Sequence, residues 1–290
     1  MTLLQDPLVQ RMLIVGILVG VAAPVVGTYL VQRRMALLGD GIGHVALAGV
    51  AAGWLAGSAA GLAHRDALAV PGAVIFAVAA AVVMERMRAR GTAADVVMAI
   101  LFYGGIASGV LLISLAGGSN ANLLGYLFGS ISTVTWADVW VTVVLAVGIV
   151  AVGLGLRPAL FAVTHDAEFA RSSGLPVAAL NMVVAVLAAV TITVAMRVVG
   201  VLLVSALMIL PVAIAQRLTS SFSHTMGWAM ATGAVLTLSG IGITLVYNLQ
   251  PGALIVVLGV AVYVVISVVT QVWGRRTRGL AARGEGEGTP

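Results

Sequence analysis

Residues 35–63 read MALLGDGIGHVALAGVAAGWLAGSAAGLA, a run of small and apolar side chains interrupted by one carboxylate, Asp40, and one imidazole, His44. A hydrocarbon core of about 30 Å takes about 20 apolar residues of helix, so this stretch is long enough to cross a bilayer. It reads as a helix because backbone polar groups in hydrocarbon must be satisfied within the segment. A carboxylate there costs about 2.5 to 3.5 kcal/mol on insertion scales, so a span keeps one only where it faces protein, water or an ion. Positions i and i+4 share a helix face, and the Asp40 oxygen and His44 nitrogen can converge on one point. Together they offer half of a tetrahedral site. Oxygen plus imidazole suits zinc, manganese or iron(II) better than a soft ion, and a second copy across a two-fold axis would complete four ligands. The other use of the same pair is an Asp-to-His hydrogen bond that ties helices together.

The rest of the chain is of the same kind. It is 61% hydrophobic and 9% charged over 290 residues, with a mean hydropathy of +1.14, which excludes a soluble domain. Strand alternation of the outer-membrane barrel type is absent. The fold class is therefore all-α: a polytopic transmembrane bundle of eight to nine spans. The windows are 12–32, 35–63, 67–84, 96–116, 138–156, 177–196, 198–216, 225–247 and 253–273. Residues 122–134, NLLGYLFGSISTV, are too short to span untilted and read as a half-helix or re-entrant segment. The first window has no A-x-A cleavage pattern and reads as a retained span. Residues 1–278 form one transmembrane domain, and the glycine-rich polar end, 279–290, reads as a disordered tail. The small-residue spacings Gly39/Gly43 and Gly49/Gly53 permit close helix approach.

All 15 positive residues are arginines. Arg33 and Arg34; Arg86, Arg88 and Arg90; Arg157 and Arg171; Arg217; and Arg275, Arg276 and Arg278 fall in alternate loops. That alternation marks one cytoplasmic face, with the C-terminus inside and, for nine spans, the N-terminus outside. Arginines at span ends argue against a nucleic-acid surface and for contact with membrane lipid. Without cysteine there are no disulfides, thiolate metal sites or iron-sulfur clusters in the chain. Without lysine there is no G-x-x-x-x-G-K-[ST] phosphate loop, so any ATP that drives the protein is hydrolysed on another subunit.

The longest hydrophilic interruption, RPALFAVTHDAEFARSSGLP at 157–176, lies on the arginine-rich face. Within it the run DAEFARSSG, opened by the acids Asp166 and Glu168, continued by Ala170 and closed by Gly174 with Pro176, reads as a short helix. His64, His165 and His224 lack convergent partners and are weak ligand candidates. Asn181, inside a span, suits an interhelical hydrogen bond, and Pro211 suits a kink.

Five segments in order resemble the membrane permeases of binding-protein-dependent ATP-binding-cassette importers for zinc, manganese and related metals. They are RRMALLGDGIGHVALAGVAAG from Arg33, DVVMAILFYGGIASGVLLISLA from Asp95, LLGYLFGSISTVTWADVW from Leu123, THDAEFARSSGLPV from Thr164 and VVGVLLVSALMILPVAIAQRL from Val198. The resemblance covers nearly the whole chain. It implies an importer-type permease in a bacterial cytoplasmic membrane, itself non-catalytic and with no permanently bound cofactor. Asp40 and His44 match the family's D-x-x-x-H metal pair, and Asp166, Glu168, Ala170 and Gly174 match the D-x-E-x-A-x-x-x-G loop that docks on the ATPase. The implied partners are a second permease copy, two cytoplasmic ATPases and an extracytoplasmic metal-binding protein. One departure is Ile42 and Ala48, where the family's pattern leads one to expect a small polar residue and a proline. The affinity order of divalent ions tilts the expected cargo slightly toward zinc over manganese. A proton-coupled secondary transporter, with Asp40 and His44 as a relay, is the alternative use of the same residues.

Overall fold

The structure is a computed structural model that describes residues 6–61, 65–116, 125–127, 129, 134–247 and 249–286, without the side chains of 65, 66, 197, 198 and 273–286. Among the described residues nine helices are long and apolar enough to cross a membrane, one for each expected window. They are α1 (Pro7–Gln32), α2 (Leu38–Ala59), α3 (Ala69–Ala89), α4 (Ala94–Leu115), α5 (Trp136–Gly155), α8 (Val177–Val199), α9 (Val201–Leu218), α10 (Phe222–Tyr247) and α11 (Pro251–Gly286). Two short helices, α6 (Arg157–His165) and α7 (Ala167–Ser172), lie between α5 and α8. The re-entrant reading of 122–134 and the candidate His64 fall largely or wholly outside the described residues.

Helix ends depart from the hydropathy windows for local reasons. α1 starts before residue 12 because Asp6 caps it, accepting the Leu8 N–H at 2.9 Å, and Pro7 stands at its first turn. α3 runs past residue 84 and carries Arg86 and Arg88 in its last turn, where cations complement the helix dipole. Hydropathy marks the hydrocarbon, whereas the helix continues into the interface. α2 starts at Leu38 because the chain first reverses at Arg34, which has a left-handed φ of 57°. α11 is helical through Gly286, so regular backbone reaches into 279–286; its apolar window is Pro251–Val272. Pro211 lies inside a continuous α9 rather than ending it.

α1 is the axis of the bundle. Of its apolar window 72% is buried, against 17% for α11 at the edge. α1 packs on α5, α9 and α10, α2 packs on α3 and α4, and α8 joins the two groups. Lipid supplies no hydrophobic drive between helices, so close backbone approach has to do this work. A Cβ at Gly49 would strike the Gly72 carbonyl, and one at Gly72 the Gly49 carbonyl. Gly20 of α1 and Gly233 of α10 abut in the same way. The Gly49/Gly53 spacing is thus the α2 to α3 seam, with Gly53 on the Leu68 carbonyl, while Gly39 and Gly43 face Ser205 and Val201 of α9.

Candidate metal pair and coupling loop

Asp40 lies in the first turn of α2 and His44 one turn on, both half-buried. At 1.5 Å of rise per residue they stand about 3 Å and 9 Å into a helix about 33 Å long, toward its arginine-bearing end. The His44 ring meets Phe102 of α4 edge-on, centroids 4.7 Å apart at 84°. Gly105 makes this approach possible: a Cβ there would lie 2.7 Å from the Val45 nitrogen and 2.8 Å from the His44 carbonyl carbon.

The Nδ1 of His44 is buried and has no hydrogen-bond partner among the described residues. A buried polar atom left unmatched in a native fold calls for an explanation such as an absent ion or water. The helix-tying Asp-to-His bond expected as the alternative would have used such an atom. Asp40 opens onto a cleft of about 380 Å³ whose wall also holds Asp95, Phe102 and Tyr103 of α4. The second carboxylate, Asp95, escaped the sequence reading because it stands 55 positions from Asp40 along the chain. Among the described residues no three His, Cys, Asp or Glu side chains gather at one point. Asp40 and His44 of one copy would by themselves leave a metal ion's coordination shell incomplete.

The loop between α5 and α8 folds as two helices rather than the single one expected. Asp166 separates and caps them, its Oδ1 accepting the N–H of Glu168 at 3.0 Å and of Phe169 at 2.9 Å. Ala170 is fully buried, whereas Glu168 is exposed and Phe169 is 64% exposed. The helix closes where the Leu175 N–H reaches the Ala170 carbonyl at 3.0 Å and the Gly174 N–H reaches Arg171 at 3.1 Å. Gly174 takes φ +83° in open space, a conformation that disfavours any side chain. So Asp166, Ala170 and Gly174 shape the element, and Glu168 with Phe169 is what it presents outward.

Of the other candidates, His165 stacks on Phe161 at 4.2 Å and His224 is exposed at the start of α10. Asn181 does make its interhelical bond, its oxygen accepting from Arg33 Nη1 at 2.8 Å.

A profile of the ABC 3 transport family matches residues 5–270. The manganese transport system membrane protein MntC of Halalkalibacterium halodurans is 30% identical, over 97% of this chain and 96% of its own. The manganese import system permease protein ScaB of Streptococcus parasanguinis is 30% identical, with 89% of each chain covered. Among solved structures, PsaBC from Streptococcus pneumoniae in complex with Fab superposes with a TM-score of 0.78 at 28% identity, covering 91% of this chain and 92% of that one. On this match the chain belongs to the ABC 3 transport family, as a non-catalytic, multi-pass membrane permease whose ATP is hydrolysed on a separate subunit.

Proposed function

We propose that this chain is the permease of an ATP-driven importer of a divalent transition-metal ion, and that Asp40 and His44 hold the ion during passage. The observation that carries this reading is the buried, unpartnered Nδ1 of His44 on the same face of α2 as the Asp40 carboxylate. Manganese is the favoured cargo, because the two relatives above are named for it. The small tilt toward zinc drawn from the affinity order finds no support in those names. Two copies of the chain would each supply Asp40 and His44, completing a four-ligand shell from oxygen and nitrogen donors. Such a site has to bind well enough to select the ion and weakly enough to release it, so the relative movement of the two copies opens it in each cycle.

In this scheme the protein lies in the bacterial cytoplasmic membrane with its arginine-rich end and C-terminus in the cytoplasm. The face of α7 bearing Glu168 and Phe169 receives the ATPase, and an extracytoplasmic binding protein delivers the metal.

The test is uptake of radioactive manganese and zinc into vesicles holding the chain, its ATPase and its receptor. Asp40→Asn and His44→Ala should each lower uptake by about a hundredfold, the effect of losing a ligand from a small shell, while assembly and basal ATP hydrolysis persist. The ion preferred by the wild type names the cargo. Unchanged uptake in both variants would show that the pair serves structure alone.

A further inference from the structure

The buried end of α1 holds a cation that the metal pair and the loop do not by themselves employ. Arg33 follows the last residue of α1 and is half-buried. Its Nε donates to the Thr164 hydroxyl of α6 at 3.1 Å, and its Nη1 donates to Asn181 of α8 at 2.8 Å. Its Nη2 is buried and has no partner among the described residues. Burial pushes the Arg33 pKa below its usual value and the nearby Glu85 of α3 opposes that shift; a guanidinium stays charged in either case. Glu85 itself is held by Arg88 at 3.0 Å. One planar fork thus touches α6 and α8 and lies in the field of α3.

The chain on the other side of Arg33 is short and tied. The Arg34 N–H bonds the Val31 carbonyl at 3.0 Å, the Met35 N–H bonds Leu30 at 2.9 Å, and the Leu38 N–H bonds Met35 at 3.0 Å. Met35 is buried. Displacing Arg33 therefore displaces the start of α2, whose first turn carries Asp40. A second link ties the preceding turn of α1 to α5 and, through Phe222 of α10, to α6. Tyr29 donates to the Gly153 carbonyl at 2.6 Å and packs on Phe222 at 5.5 Å, Phe222 packs on Phe161 at 5.0 Å, and Phe161 on His165.

We propose that Arg33 is the positioning residue that carries movement of the loop at 157–174 to the metal helix α2, through its bonds to Thr164 and Asn181 and the tied turn at 33–38. This rests on the reading of the chain as an ATP-driven permease whose loop receives the ATPase stroke. A rigid, bidentate side chain suits the role, because it transmits displacement where a flexible lysine would absorb it. The spare Nη2 gives the fork a donor for a second arrangement, as a switch between two packed states requires.

The experiment uses the whole complex of permease, ATPase and receptor in proteoliposomes, with manganese as the probe, and reads ATP hydrolysed per ion taken up. Arg33→Gln should keep hydrolysis within about twofold of wild type and cut uptake about tenfold, the scale of losing hydrogen bonds to a charged group. Arg33→Lys, which restores the charge but not the fork, should recover part of the uptake. Thr164→Val should raise the ratio in the same direction by about threefold, the scale of one such bond. Hydrolysis and uptake falling in equal proportion would make Arg33 a merely structural residue and overturn the proposal. So would an unchanged ratio in Thr164→Val, which decides the matter if Arg33→Gln fails to assemble. A wild type that hydrolyses ATP but imports no metal overturns the underlying reading and this one with it; import by the wild type with unchanged ratios overturns this one alone.

Discussion

Gly105 is the residue on which the geometry around His44 most directly depends. It has no chemistry of its own, yet its missing side chain lets α4 lie against the His44 backbone and brings Phe102 edge-on to the imidazole. Gly105→Val should force the two helices apart at a cost of about 1 to 3 kcal/mol, as overpacking does. We expect manganese binding by the purified complex, followed by titration calorimetry, to fall as far as in His44→Ala while the circular dichroism of the helices stays the same. Undiminished binding would mean that α4 does not set the position of the imidazole. Asp40 and His44 could be singled out as candidates from sequence alone, because a charged group in an apolar span needs a reason and a four-residue spacing supplies one. Gly105 could not, since one glycine among 35 looks like any other until its neighbour is known. Arg33 was misleading in a different way: the rule that puts arginine at cytoplasmic ends accounted for its presence and concealed that it is half-buried and bonded to two other helices.

Among the elements, α7 divides most clearly into a part that builds it and a part that it displays. Ala170 is fully buried, and Phe169 beside it is left largely uncovered by the described residues. Phe169→Ala should leave the permease folded and weaken capture of the ATPase by about 2 kcal/mol, or roughly thirtyfold in affinity, the scale of an aromatic anchor at an interface. Co-purification of permease and ATPase at graded dilution measures this, and equal retention of the ATPase would place its docking elsewhere. The frame of this element was readable in the acid at its start and the glycine at its end, because capping chemistry is local. The extra helix α6 was not, since its apolar residues Leu160 and Val163 acquire meaning only against the bundle that buries them. Span positions were readable for the same reason that their pairing was not. Apolar length is a property of a segment, while partner choice depends on which small residues meet, and a helix apolar on every side does not announce its neighbours.

For the whole molecule, the main consequence of the proposed site is that Asp40 and His44 of one copy leave a metal ion's shell incomplete. The pair would bring one carboxylate and one imidazole to an ion that wants about four to six donors. If two copies meet there as proposed, the sound unit is the pair, and its quality is set by the worse of its two members. A cell expressing wild-type and Asp40→Asn genes equally would draw its pairs at random, and only about one quarter would contain two good chains. Metal uptake in such a cell should drop to about that fraction of the wild-type level at equal total permease; a drop to one half would mean that each copy works alone. The defect would therefore behave as dominant, so that a spare intact gene gives little protection against a damaged one.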